Sequence, residues 1–289
     1  MIVQAAIPNS TIMDFVAKLW SRYMGNLKIR PINTGFVTMI PSLYLYHHSV
    51  IKYYPNASDK EEEFPVFAYL IEEGEKLLLV DTGMSDTKRA DTYHHPGSFQ
   101  PKGMSIIEQL DKLGYKPTDI DIVVFTHLHW DHCFYMNRFT NAQFIVNKKE
   151  YEFAMDPIPL YHKSYEAPEL GIIRSFEGLE MTLVEGETEI IPGVRVFETP
   201  GHSVGHQAVE VDTNTGKYII CGDAIFIMDN IKPIPQIHYN ITPPNRYANI
   251  VETWRSIEKI KNRAQSEDRI LTCHDKSMLE RVIATPVIG

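Results

Sequence analysis

Residues 126–132 read Thr-His-Leu-His-Trp-Asp-His and follow directly on the apolar run DIVVF (121–125). Three histidines and an aspartate fall within six residues there, and no other stretch of the chain limits its fold as much. An apolar run of that length is strand-like, so a buried strand delivers the cluster. On extended backbone the side chains alternate, so His127 and His129 point to the same side. Asp131 and His132 come where the chain is expected to turn into a helix. Imidazole nitrogen and carboxylate oxygen are ligands that suit divalent zinc, iron or manganese. Four such groups exceed what one catalytic tetrahedral ion with an open position needs, so the spacing points to two metals.

The same chemistry recurs downstream. His202 in Thr199-Pro200-Gly201-His202 follows VRVFE, Asp223 in Cys221-Gly222-Asp223 ends KYII, and His274 in Cys273-His274-Asp275 ends RILT. Functional groups at strand ends, on loops held by a rigid scaffold, are what a catalytic site requires. Strand neighbours face opposite ways, so Cys221 and Cys273 are expected to pack in the core. With Cys133 they make an odd set without repeated spacing, which reads as reduced thiols in a cytoplasmic protein. The start, MIVQAAIPNSTIMDF, lacks a basic stretch followed by an apolar one, so no secretory signal is expected. No apolar run approaches the ~20 residues that span a bilayer.

The remaining chain reads as strands in two batches, each followed by helical segments. FPVFAYLI (64–71) and LLLVDTG (77–83) form a hairpin, DIVVFTH (121–127) and AQFIV (142–146) are buried strands, and 84–102 is a loop. Ser105 and Glu108 resemble a capping box before the helix SIIEQLDKLGY. Strands at 185–193, 194–200, 206–212, 217–223 and 269–275 and a helix over 243–264 complete the pattern. That order predicts two sheets covered by helices in one domain over 1–289, with 1–60 an irregular N-terminal extension packed on it. Lys and Arg total 28 against 37 Asp and Glu, a net charge of −9, which disfavours nucleic acid and anionic membranes as partners.

HLHWDH matches the HxHxDH signature of the metallo-β-lactamase superfamily, and His202, Asp223 and His274 match its later ligand motifs in order. The resemblance covers about residues 64–280 and implies an α/β fold, an αββα sandwich with the site at one edge. It implies that His127, His129 and His202 hold one metal, that Asp131, His132 and His274 hold the other, and that Asp223 bridges them. Asp81 in VDTG matches the family's first motif, a carboxylate that orients a ligand histidine. Within the superfamily the chain most resembles N-acyl homoserine lactonases, through LLLVDTGM (77–84), LGYKPTDIDIVVFTHLHWDH (113–132), FTNAQFIVNKKEYEFA (139–154), TPGHSVGHQ (199–207) and CHD (273–275).

The resemblance implies a dinuclear hydrolase that uses a metal-activated hydroxide to open a lactone, with Asp131 as ligand and proton shuttle. Its cofactors are two divalent ions, zinc first, with iron, manganese or cobalt as alternatives. Its partner is a small ester or lactone, and a homodimer is compatible with it. Trp130, Phe134 and Phe226 flank ligand positions and are expected to line the substrate pocket, whereas Tyr93-His94-His95 reads as surface. The chain departs from the lactonases at Phe226, where several carry a tyrosine that polarises the lactone carbonyl. A phenyl ring donates no hydrogen bond, which leaves Tyr239 or His238 as expected donors. Two other readings fit the motifs: a thioester hydrolase like glyoxalase II, from GDAIF (222–226), and an iron-dependent oxidoreductase such as a persulfide dioxygenase.

Overall fold

A computed structural model of the chain describes residues 27–55 and 57–289. Two sheets lie face to face. The first runs β1 (Lys28–Met39), β2 (Glu62–Glu72), β3 (Leu78–Val80), β4 (Ile122–Val124), β5 (Gln143–Asn147) and β6 (Met181–Val184), in that spatial order. β1 to β3 are antiparallel neighbours and β3 to β6 are parallel. The second runs β11 (Ile270–Leu271), β10 (Gly216–Ile220), β9 (Gln207–Thr213), β8 (Val194–Glu198) and β7 (Thr188–Ile191), antiparallel except for the β10–β11 pair.

The inner faces of both sheets make one core, in which Tyr69, Val80, Val124 and Ile145 meet Val196, Val209, Ile220 and Leu271. On the outer face of the first sheet, α1 (Ile106–Lys112) contributes Ile106 and Leu110, and α2 (Lys148–Met155) contributes Ala154. On the outer face of the second, α3 (Ile250–Ala264) contributes Ile257, Ile260 and Ala264. Each sheet thus buries one face on the other sheet and one on helices, the layering expected from strands that are apolar on both sides. The fold is the αββα sandwich.

Four local expectations are corrected. Lys28–Met39, read as irregular, is a 12-residue edge strand. Pro31 within it and a register break between Asn33 and Phe36 hide its alternation, and an edge position tolerates both. Residues 1–26 of the expected extension, and with them the reading of a missing signal, lie outside the described residues. Loop 84–102 contains helical turns at Thr87–Arg89 and Ala90–His94. α3 starts at Ile250 rather than at Pro243, because Asn249 accepts from Val251 N at 3.0 Å and Glu252 N at 3.2 Å. The tail after the last strand is a helix, α4 (Ser277–Ala284), whose Leu279 and Val282 pack on the inner core.

The Ser105–Glu108 capping box forms as expected. The C-terminal ends of β3 and β4 in one sheet, and of β8, β10 and β11 in the other, open on the same edge of the sandwich. Cross-sheet bonds pin that edge: Phe67 N donates to Cys273 O (3.0 Å) and Gln207 N donates to Thr126 O (2.9 Å).

Candidate metal centre

Every sequence-marked polar group stands just past one of those strand ends. Asp81 follows β3, His127 to His132 follow β4, His202 follows β8, Asp223 follows β10 and His274 follows β11. Asp131 and His132 lie in a turn, not at the start of the expected helix: His132 N donates to His129 O (3.0 Å) and Trp130 N to Ser164 O (2.9 Å). The turn folds three imidazoles inward, and Asp81 and all seven candidate ligands are buried.

The seven form two clusters joined by Asp223. His127, His129 and His202 offer nitrogens within 4.8 Å of one another, as do the ligand atoms of Asp131, His132 and His274. Asp223 lies between the clusters. Its Oδ1 is 3.2 Å from His132 Nε2 and 3.2 Å from His274 Nε2, while its Oδ2 is 3.4 Å from His202 Nε2 and 3.9 Å from His127 Nε2. One oxygen per cluster is the geometry a bridging carboxylate requires.

Partners outside the clusters orient the rings. His132 Nδ1 donates to Asp81 Oδ2 (2.8 Å), which also accepts from Thr126 Oγ1 (2.8 Å). His274 Nδ1 donates to Pro65 O (2.9 Å) and His202 Nδ1 to Arg246 O (3.4 Å). Asp81 sits at φ +58°, a left-handed conformation that aspartate tolerates. In each ring the outward nitrogen carries a proton, and Nε2 is turned toward Asp223.

Those inward atoms test whether metal fits. Nε2 of His127, His129 and His132 and Oδ1 of Asp223 are buried and have no hydrogen-bond partner. Orphaned buried acceptors are costly unless something positive satisfies them. Burial holds the His127 and His129 pKa well below the ordinary value, and burial lowers His202 to about 4. These three rings are therefore neutral, the state that ligates metal. Burial opposes the Asp223 charge, but His274 and His132 outweigh it and hold the carboxyl well below the usual range. At His132 and His274 burial opposes the charge, but Asp223 and Asp131 outweigh it and raise both pKa values, so the carboxylates draw positive charge to that cluster, a demand that a divalent cation meets. Asp81, His132 and Cys273 also lie close together. That group is no third candidate, because the His132–Asp81 contact is a hydrogen bond and burial keeps the Cys273 thiol protonated.

Two supporting residues escaped the sequence reading. Glu150 on α2 is fully buried and accepts four bonds: Leu128 N (3.0 Å), Tyr165 Oη (2.9 Å), Ser203 Oγ (2.6 Å) and Gly205 N (3.0 Å). It ties the 127–132 turn to the loop that carries His202. Gly205 permits the approach, since a Cβ there would lie 2.0 Å from Glu150 N. His206 donates from Nδ1 to Thr199 Oγ1 (2.8 Å) and accepts Asp223 N–H at Nε2 (3.1 Å), so it positions the shared carboxylate. Its only signal was a place inside TPGHSVGHQ.

The clusters floor a cavity of about 250 Å³ whose wall includes Trp130, Phe226, Tyr44, His95, Lys163 and Arg246. Phe226 lies edge-on to His202 (5.1 Å) and stacks on His274 (5.8 Å). Phe134, expected in this pocket, instead lies under the Arg89 guanidinium (5.2 Å) and lines a separate depression, because the chain after Cys133 turns away. His94 and His95, read as surface, line the cavity. His94 stacks on Trp130 at 4.2 Å and bonds Glu166 Oε1 at 3.0 Å. His238 and Tyr239, the expected donors, are not in its wall, and Tyr239 packs edge-on against Trp254 at 5.0 Å.

Residues 62–264 match the family described as the metallo-beta-lactamase superfamily. Among curated proteins, the chain is 33% identical over 177 residues to N-acyl homoserine lactonase AiiA of Bacillus thuringiensis subsp. kurstaki, spanning 58% of this chain and 67% of that one. It is 29% identical over 230 residues to N-acyl homoserine lactonase AttM of Rhizobium radiobacter, spanning 74% and 82%. Among solved structures, it matches a quorum-quenching N-acyl homoserine lactone lactonase with a TM-score of 0.70 at 26% identity, over 89% of this chain and 96% of that one. An N-acyl homoserine lactone hydrolase with N-hexanoyl-L-homoserine bound at its catalytic metal centre matches with a TM-score of 0.70 at 25% identity, over 89% and 97%.

Proposed function

The chain belongs to the metallo-β-lactamase superfamily, and on that premise we propose that it is a metal-dependent hydrolase that opens the ester bond of a lactone, N-acyl homoserine lactones among them. The observation that carries this reading is Asp223, shared between two clusters of buried imidazoles at the floor of an open cavity. The relatives named above act on that bond. Zinc is the first choice of metal, since His and Asp ligands without a thiolate match its sites. The three buried free thiols support a reducing, cytoplasmic setting. Among the described residues no helix is long and apolar enough to cross a membrane.

His127, His129 and His202 would hold one divalent cation and Asp131, His132 and His274 the other, and the pair would supply Lewis acidity for the ester carbonyl and for a water. The chain's own residues supply the rest. Asp131 belongs to one cluster and also lines the cavity, with Oδ2 at 3.7 Å from His274 Nε2 and 3.9 Å from His132 Nε2. Its carboxylate can take a proton and pass it to the leaving alkoxide oxygen. His95 donates from Nδ1 to Thr38 O (3.2 Å), which leaves Nε2 unprotonated, and burial keeps the ring neutral. It is a second proton acceptor in the cavity wall. Phe226 covers His202 and His274 with apolar surface and excludes water from that side. Tyr44 brings a phenol to the cavity wall and is the residue we assign as donor in place of the one that position 226 lacks.

A pH-indicator assay over lactones, aryl esters, thioesters and β-lactams tests the reading, with metal content measured on the same samples. Lactone turnover with two zinc per chain is the expected result. Iron together with oxygen consumption would overturn it, and turnover confined to thioesters would favour the glyoxalase II-like alternative.

A further inference from the structure

The cavity carries positive charge that ester cleavage does not require. Arg246 and Lys163 both line it, and among the described residues neither has a carboxylate within ion-pair distance. Several other part-buried arginines here pair with carboxylates, Arg89 with Glu166 at 2.6 Å, Arg30 with Glu72 at 2.8 Å and Arg195 with Glu210 at 3.0 Å, whereas Arg269 and Arg281 spend their N–H groups on backbone carbonyls. Arg246 instead gives one N–H to Ser164 Oγ (3.3 Å) and lies 6.0 Å from the Tyr44 ring. Most of the five donors of its planar fork remain free.

Its place is fixed by the site itself. Arg246 O accepts the His202 Nδ1 proton, and Ser164 O accepts Trp130 N–H, so the backbone under both polar groups is tied to the metal-cluster turns. Among the described residues the only carboxylates in the wall are Asp131 and Asp223, which belong to the clusters.

We propose that Arg246, with Lys163 beside it, forms a carboxylate subsite, so that the preferred substrates are lactones or esters with a carboxylate remote from the scissile bond. A planar guanidinium with free parallel N–H groups pairs with a carboxylate through two charge-assisted bonds. Unpaired cations at the cavity of an otherwise acidic molecule also steer an anion toward it. The substrate class rests on the hydrolase reading above, whereas the subsite can be measured without turnover.

Two N-acyl homoserine lactones test it, identical except that the six-carbon acyl chain ends in a carboxylate or in its primary amide. Their γ-lactam analogues, with ring NH for ring oxygen, serve as binding probes in calorimetric titrations of the metal-loaded protein. The carboxylate lactam is expected to bind about tenfold tighter than the amide, as one charge-assisted pair implies. That ratio is expected to fall to about one in Arg246→Gln, to be partly kept in Arg246→Lys, and to shrink as salt rises to about 0.3 M. Circular dichroism and metal content check that each variant is folded and loaded. Equal binding of the two lactams overturns the proposal. A preference that survives Arg246→Gln and Lys163→Gln also overturns it, because the anion then sits on the metals. Turnover is scored separately. If neither lactone opens while the Arg246-dependent preference holds, the lactonase reading fails and the subsite stands.

Discussion

At the scale of single residues, the groups behind the candidate ligands are as constrained as the candidates themselves. Asp81 accepts from His132 Nδ1, Thr126 N and Thr126 Oγ1, so an amide in its place puts a donor against one of these donors. Asp81→Asn is expected to weaken metal binding about tenfold to a hundredfold, read by chelator competition, with the fold kept. Glu150→Gln meets the same conflict, because each carboxylate oxygen accepts two bonds. It should cost about 1–3 kcal/mol in urea unfolding, the range for a buried polar group left unpaired.

His206 sets a pH dependence. Burial lowers its pKa from 6.5 to about 3, so the folded state binds fewer protons than the unfolded state between those values. Stability then rises with pH across that window: the contribution is complete above the unfolded pKa and is lost as pH falls toward the folded one. Urea midpoints measured from about pH 7 down to about pH 5 should decline, and less steeply in His206→Gln. His127, His129 and Asp131 stood out in the sequence because they are adjacent in it. Glu150 did not, because a glutamate on a short helix looks like any solvated one until four donors close on it.

At the scale of elements, α3 holds the His202 loop. Gly201 O accepts from Ala248 N (2.7 Å) and Asn249 N (3.0 Å), just before the helix starts. Gly201 has φ +138°, and a Cβ there would lie 2.3 Å from Thr253 N. Gly201→Ala must therefore push the loop off the helix. The expected result is protein depleted in metal at the His202 cluster and destabilised by about 2 kcal/mol or more, as strain at a special backbone position implies. Asn249→Ala removes only the cap and should cost about 1 kcal/mol without loss of metal. Comparing metal content in the two variants separates a displaced loop from a weakened helix. Strands and helices with clear periodicity were legible in the sequence. β1 was not, since Pro31 and its bulge break the alternation, and α4 was not, since its eight residues barely cover two turns.

At the scale of the whole molecule, the two sheets share one core, and their cross-sheet bonds lie at the candidate metal centre. We propose that the chain unfolds as a single unit. Trp130 lies beside the metal clusters and Trp254 on the helix of the opposite layer. Urea transitions followed at each, in variants that lack both the other and Trp20, should coincide with the loss of circular dichroism, as two-state unfolding requires. Separate midpoints would divide the sandwich into two units.

The sequence by itself determined the kind of chemistry. Ligand residues adjacent in the chain, or set at the ends of apolar runs, announce themselves because their roles depend on residue type and on strands already written in the pattern. Tertiary structure alone decided what surrounds that chemistry. Tyr44, His95, Lys163 and Arg246 come from four distant segments, and none carries a spacing or periodicity that marks it. They meet only when the two sheets and their loops pack. The same packing turned Phe134 away from the cavity and brought His94 into it. Local order in the chain encodes ligands, whereas the shape and charge of a cavity belong to contacts between residues that the chain keeps far apart.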